Sequence, residues 1–290
     1  MTDPKPPKRI FPTSKVDAAA AKHVPSSPQT ESASYKLAFQ DTDFLLREDL
    51  RPVRFQLELM KPELLLEEAN IGSTFVFYGS ARVPEPAKAA ELAKHARSDW
   101  DKKVAERLVA KAPYYEVARE LARIASRHPE DEDGKRHFVV CSGGGPSFME
   151  AANRGAHDEG KDTIGLNIVL PHEQLPNVYV TPELSFQFHY FALRKMHFLI
   201  RARAVAVFPG GFGTFDEMFE LLTLIQTGKV RPLPVLLFGK EFWTRVIDFE
   251  ALAEEGVIAK ADLDLITWCE TAEEAWDAVV RFYEDIAPPK

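Results

Sequence analysis

Three short apolar runs in this chain each break off into a cluster of small residues: FVFYGSAR (75–82), FVVCSGGGP (138–146) and VAVFPGGFGT (205–214). Runs this short, rich in β-branched and aromatic residues and closed by glycine, are the pattern of strands buried on both faces. Such strands belong to parallel sheets covered by helices on either side. The intervening sequence supplies the helices. Residues 85–128 read as two helices interrupted near Pro113, and another opens at Pro146 and runs through MEAANRGAHDEG. Helices follow over 189–202, over 215–228 with Gly228 as its stop, over about 241–254, and from Thr271, where TAEE is a capping-box pattern. Trp276, Val280 and Tyr283 fall on one face of that last helix. Further strands are expected at 162–170, in LPVLLFG and in DLITW. The expected fold class is α/β, a doubly wound parallel sheet with helices on both faces.

Ahead of this alternation the pattern differs. Residues 1–34 are rich in Pro, Ser, Lys and Ala and nearly free of large apolar side chains, so they are expected to form a disordered tail. Residues 35–71 read as a helical N-terminal extension. Val53, Leu57, Met60 and Leu64 make one apolar stripe there, and Pro52 suits a first helical turn. The main domain is expected over residues 72–288.

Charge and cysteine content narrow the function classes. A formal net charge of −8 argues against indiscriminate binding to nucleic acid or anionic membranes. No apolar run is long enough to span a bilayer and the N-terminus has no secretory pattern, so a cytoplasmic location is expected. The two cysteines, Cys141 and Cys269, form no metal-binding CxxC pair. His189 and His197 lack the spacing of a metal pair on a helix and read as packing or pocket-wall residues. A strand-end cysteine such as Cys141 reads as a small buried residue. Neither a metal nor a cofactor is expected.

In a parallel sheet, turns that follow strands emerge at the same edge. Gly79, Ser80, Ser142, Gly143, Gly144, Gly145, Gly210, Gly211, Gly213 and Thr214 are therefore expected to line one pocket. Glycine lets backbone amides approach an anion, and the following helix adds the positive end of its dipole. A dinucleotide fingerprint fails because Phe148 stands where the third glycine would be, and no P-loop pattern exists. A monophosphate fits best. Arg194 and Lys195 lie in an unusually apolar and aromatic helix, where charges are expected to face a pocket. Glu217 has two readings: a functional acid, or the far end of a Thr214-Phe215-Asp216-Glu217 capping box. Asp216 reads as a first-turn acid serving the helix dipole.

SGGGPSFMEAANRGA, the Arg194-Lys195 pair and PGGFGTFDE together resemble the LOG family, formerly mislabelled as lysine decarboxylases. Its PGGxGTxxE hallmark is matched by Pro209, Gly210, Gly211, Gly213, Thr214 and Glu217, and the resemblance covers roughly residues 72–285. The GGGxxGxM pattern is met in part, with Phe148 in the glycine-side position and Met149 after it. The long N-terminal extension is similar to that of the larger bacterial members. The resemblance implies a Rossmann-like fold and a homodimer or higher homo-oligomer. It implies hydrolysis of the N-glycosidic bond of nucleoside 5'-monophosphates, AMP or cytokinin riboside monophosphates, to a free base and ribose 5-phosphate. Arg194 and Glu217 would be the catalytic pair, with the SGGG and PGGFGT turns and Lys195 binding substrate. The alternative is a nucleotide sensor or molybdenum-cofactor carrier, which would use the same pocket without turnover.

Overall fold

The computed structural model describes residues 11–171 and 175–286. The chain divides into two compact units, residues 1–58 and 59–290, which part inside the helix Arg51–Glu68. Within the first unit, the stretch read as a disordered tail carries the short α-helix Ser14–Ala20, capped by Thr13, the 3-10 turn Ala21–His23 and the start of another at Ala33–Tyr35. Residues 1–10 of that stretch lie outside the described residues, and none of residues 11–58 is buried. Local caps and turns shape this segment without a core of its own.

On the helix Arg51–Glu68 the apolar stripe is exposed in the single chain: Val53, Leu57, Met60 and Leu64 are 38%, 52%, 53% and 54% exposed. The buried residues are Pro62 and Leu66, each two positions beyond a stripe residue and so about 200° further round the helix. Glu63 and Glu67 flank this face and reach Arg201 at 3.2 and 3.6 Å.

Among the described residues the second unit contains seven strands: β1 Thr74–Tyr78, β2 Val139–Ser142, β3 Ile164–Ile168, β4 Ser185–Phe188, β5 Ala202–Val207, β6 Val235–Phe238 and β7 Thr267–Cys269. They form one sheet in the order β4-β3-β2-β1-β5-β6-β7, every pairing parallel. This is the expected doubly wound, Rossmann-like α/β fold. The chain runs outward from β1 to β4 on one side, then crosses to β5 on the other. The crevice between the carboxyl ends of β1 and β5 is therefore the topological switch point, where sheets of this class bind ligands. β1, β2 and β6 are buried along their whole length, as their unbroken apolar runs require. Phe148, Phe208 and Phe238 stack beneath the sheet edge at centroid distances of 5.1 and 4.4 Å and form the floor of the turns.

Several boundaries move. Residues 85–128 hold three helices, Pro86–His95, Asp99–Lys111 and Tyr114–Ser126, because Ser98 and Asp101 form a capping box that restarts the chain. β4 has only four residues beside a 3-10 turn, too short a signal to separate from the loop before it. The helix expected over 241–254 is two, Lys240–Val246 and Phe249–Glu254, the second capped by Asp248. The last helix, Ala272–Ile286, keeps its Thr271–Glu274 capping box. Its packed face is Ala275, Val279, Trp276 and Tyr283, whereas Val280 is 37% exposed. No described helix is long and apolar enough to cross a membrane.

The helices Tyr114–Ser126 and Phe148–Asp158 pack through alanines, and Gly155 makes their closest approach. A Cβ on Gly155 would lie 2.8 Å from the Ala122 Cβ and closer still to the Arg119 carbonyl oxygen. On an exposed helix, glycine to alanine is stabilising by about 1 kcal/mol. Here Gly155→Ala is expected to destabilise by about 1–3 kcal/mol through overpacking, read as a lowered urea midpoint at unchanged m-value. A midpoint raised by the substitution would contradict the close packing.

Candidate active site

The three small-residue turns converge on the switch point. Gly79 and Ser80 follow β1, Gly143, Gly144 and Gly145 follow β2, and Gly210 and Gly211 follow β5. The Ser80 amide donates to the Pro209 carbonyl at 3.2 Å, tying the first turn to the third. Gly79 admits Phe148, which a Cβ there would meet at 2.7 Å. Gly210 admits the buried Thr214, whose hydroxyl a Cβ would strike.

The helix that opens at the third turn starts at Phe212, with Gly211 as its N-cap and no side-chain cap. Thr214 therefore lies inside the first turn and Glu217 one turn further on. This removes the capping-box reading of Thr214 and Glu217, which requires Thr214 to stand outside the helix. The amides of Phe212, Gly213 and Thr214 have no acceptor among the described residues. Around Gly211 and Gly213 the space that a Cβ would occupy is open. These amides present the positive end of a 15-residue helix to the crevice.

Glu217 and Arg194 meet in this crevice. The Arg194 Nη1–Glu217 Oε1 distance is 3.3 Å, with side-chain exposures of 12% and 13%. Arg194 rises from the helix Phe191–Ile200. Its Nε donates to the Leu166 carbonyl at 2.7 Å and its guanidinium lies over the Phe198 ring at 5.0 Å. A Cβ on Gly143 would lie 2.7 Å from Arg194 Nη2, so this glycine makes room for the arginine as well as for any ligand. Burial pushes the Glu217 carboxyl up to about 7, more than the neighbouring Arg194 charge lowers it. Tyr78, buried at the end of β1, is raised well above the usual phenol range by burial and by the charge of Glu217.

Two expected ligand contacts are engaged elsewhere. Lys195 is held at 3.0 Å by Asp216 and at 3.2 Å by Glu220. Burial alone would lower its pKa, but the hydrogen bonds to these acids raise it above the ordinary value and keep the amine charged. Asp216 thus serves an ion pair between two helices rather than the helix dipole alone. Ser142 is buried; its hydroxyl donates to Asn153 Oδ1 at 2.7 Å and accepts from the Gly144 amide at 3.0 Å.

Residues outside the sequence reading shape the rest of the site. Asn177 Nδ2 donates to the Gly144 and Gly145 carbonyls at 3.1 and 3.0 Å and to Asn153 Oδ1 at 2.9 Å, strapping the second turn. Asn167 packs under Gly144, which has φ +73°, and donates to the Phe186 carbonyl at 3.0 Å. A polar residue inside the apolar run IGLNI was the available signal for Asn167. Ser147 has φ +67°, so the glycine-type backbone lies at Ser147 and not at Phe148, which is an ordinary helical residue. A cavity of about 570 Å3 opens beside the pair, lined by Gly143, Met149, Asn167, Phe186 and Arg194 among others. Cys141 is buried behind the site with its thiol pushed far up by burial, as a packing residue would be. Among the described residues no three His, Cys, Asp or Glu side chains cluster as metal ligands.

Residues 149–279 match the model of a family described as possible lysine decarboxylase. A cytokinin riboside 5'-monophosphate phosphoribohydrolase of Oryza sativa subsp. japonica is 30% identical over 169 residues, 57% of this chain and 65% of that protein. One from Arabidopsis thaliana is 27% identical over 154 residues, 52% of this chain and 68% of the relative. Among solved structures, a molybdenum cofactor binding protein from Rippkaea orientalis is similar with a TM-score of 0.44 and 16% identity, over 73% of this chain and 97% of that one. The family match spans Met149, Arg194, Lys195 and the whole PGGFGTFDE segment, whereas the turns at Gly79–Ser80 and Gly143–Gly145 lie outside it. Over residues 149–279 the chain is thus similar to the family described as possible lysine decarboxylase, and over about half of its length to these phosphoribohydrolases.

Proposed function

We propose that this protein is an N-glycosyl hydrolase that cleaves nucleoside 5'-monophosphates, AMP or cytokinin riboside 5'-monophosphates, into a free base and ribose 5-phosphate. The observation that carries this reading is the buried Arg194–Glu217 pair, one helical turn beyond a set of uncapped backbone amides. Gly213 and Glu217 are four residues apart on one helix face, which separates amide and carboxylate positions by about 6 Å along the axis. That spacing suits a ribose 5-phosphate, with its phosphate on the amides of Phe212–Thr214 and its C1' near Glu217. An anion site followed by acids is then no contradiction, because the two charges serve opposite ends of one sugar.

Breaking the N-ribosyl bond builds positive charge on C1' and the ring oxygen, as in glycoside hydrolysis. An ionised Glu217 stabilises that charge and orients the attacking water. Arg194 faces the cavity and offsets the negative charge growing on the departing base. Held phosphate and fixed carboxylate supply the positioning. The relatives named as cytokinin riboside 5'-monophosphate phosphoribohydrolases support the reading. Incubation with AMP is expected to release adenine and ribose 5-phosphate in equal amounts, measured by chromatography. Saturable binding of monophosphates with no base released from AMP or a cytokinin riboside monophosphate would replace it with a carrier or sensor role.

A further inference from the structure

A second cavity lies one strand away from the candidate active site. Beyond β6, Gly239 turns the chain at φ +81° into the helix Lys240–Val246. Between this turn and the end of the helix Asp99–Lys111 opens a cavity of about 270 Å3, lined by Arg107, Lys111, Tyr114, Phe242 and Arg245 among others. Three cations line it in a chain of formal net charge −8. Glu241 is the only carboxylate among the lining residues; it is 88% exposed and pairs with Arg107 at 3.3 Å. Arg245 has no acidic partner among the described residues. Lys111 bonds to the Arg107 carbonyl and lies over the Phe242 ring at 5.8 Å. Burial and the two arginines hold its ammonium below the ordinary value, partly offset by Glu241.

Gathering like charges around a half-enclosed space opposes folding unless an anion joins them. Three cations and Glu241 line the cavity and Glu270 accepts from the Tyr114 hydroxyl beside it, which leaves a net positive charge to meet the phosphate of a monoester. Two guanidinium forks and an ammonium suit its oxygens better than the two oxygens of a single carboxylate. The cavity is at the small end of ligand sites, so the ligand is small. We propose that this cavity binds the phosphate of a small phosphate monoester, separately from the candidate active site. The occupant would lie against the back of the third turn, since a Cβ on Gly239 would be 3.1 Å from Pro209 Cγ and 3.3 Å from the Tyr114 ring.

The test is a crystal of the full chain soaked in tungstate, located by its anomalous signal, with calorimetric titration of inorganic phosphate alongside. An anomalous peak is expected in the cavity within reach of Lys111 and Arg245, whether or not a second peak marks the Phe212–Thr214 amides. Arg245→Glu changes an exposed side chain, and Lys111→Met removes the ammonium while keeping an unbranched side chain. Each is expected to remove the cavity peak without lowering the melting temperature, and Arg245→Glu to weaken the corresponding phosphate binding roughly tenfold or more. No cavity peak in the wild type overturns the proposal, as does a peak that survives Arg245→Glu. Equal displacement of tungstate by acetate and by inorganic phosphate would overturn the phosphate assignment.

Discussion

Glu217→Gln is expected to lower kcat on AMP by about 10²–10³-fold or more while leaving a protein that melts no lower than wild type at pH 8. Glutamine keeps the volume and the hydrogen-bonding reach of the side chain but cannot oppose a cation. The stability half of the result follows from linkage. The folded-state pKa of about 7 lies well above the ordinary glutamate value of about 4.3, because burial disfavours the ionised form. A carboxyl with a raised pKa stabilises the fold fully below the unfolded value and loses that contribution as pH rises through the folded one. The ceiling of that loss is about 3 kcal/mol. At pH 8 the wild type carries an ionised buried acid; the glutamine variant does not. A cap or a structural ion pair would give the opposite pattern, with turnover kept and melting lowered. Turnover within a few-fold of wild type would remove Glu217 from the proposed chemistry.

The fold was legible where a single interaction decides. Continuous apolar runs closed by glycine marked β1, β2 and β5, because strands covered on both faces tolerate no polar alternation. What covers a helix face was not legible in the same way. The stripe on the helix Arg51–Glu68 has the right period, yet Pro62 and Leu66 are the buried pair. Periodicity identifies a helix, but it does not say which of its faces finds a neighbour.

The candidate site divides the same way. Its backbone part followed from composition, since glycine at a strand end followed by a helix has few other uses. The roles within it did not. Lys195 and Arg194 are adjacent in sequence and point about 100° apart on their helix, so one reaches Glu217 and the other Asp216 and Glu220. Ser142 looked like a ligand contact, but it satisfies the buried Asn153 and the Gly144 amide. Asn177 reaches the second turn from a loop 33 positions away from Gly144, a contact that no local pattern announces.

The second large effect concerns pH. For wild type, log(kcat/KM) on AMP is expected to fall with unit slope below an acid limb at about pH 7, because the proposed chemistry needs Glu217 ionised. An unburied glutamate would place that limb at about 4.3, nearly three units lower. The groups that set the value surround Glu217 on two helices: Arg194 and Lys195 lower it, while Asp216 and Glu220 raise it. Lys195 is itself paired with both of those acids, which leaves Arg194 as the cation acting directly on Glu217. Arg194→Met should therefore do two separable things. It should lower the plateau of kcat by removing the charge that faces the leaving base. It should also move the acid limb upward, because burial then acts on Glu217 without the nearest opposing charge. A limb left in place with a lowered plateau would mean that Arg194 acts only on the base. A limb already near the ordinary glutamate value in the wild type would mean that water reaches Glu217, and that the crevice does not create the desolvated carboxylate on which the proposed mechanism depends.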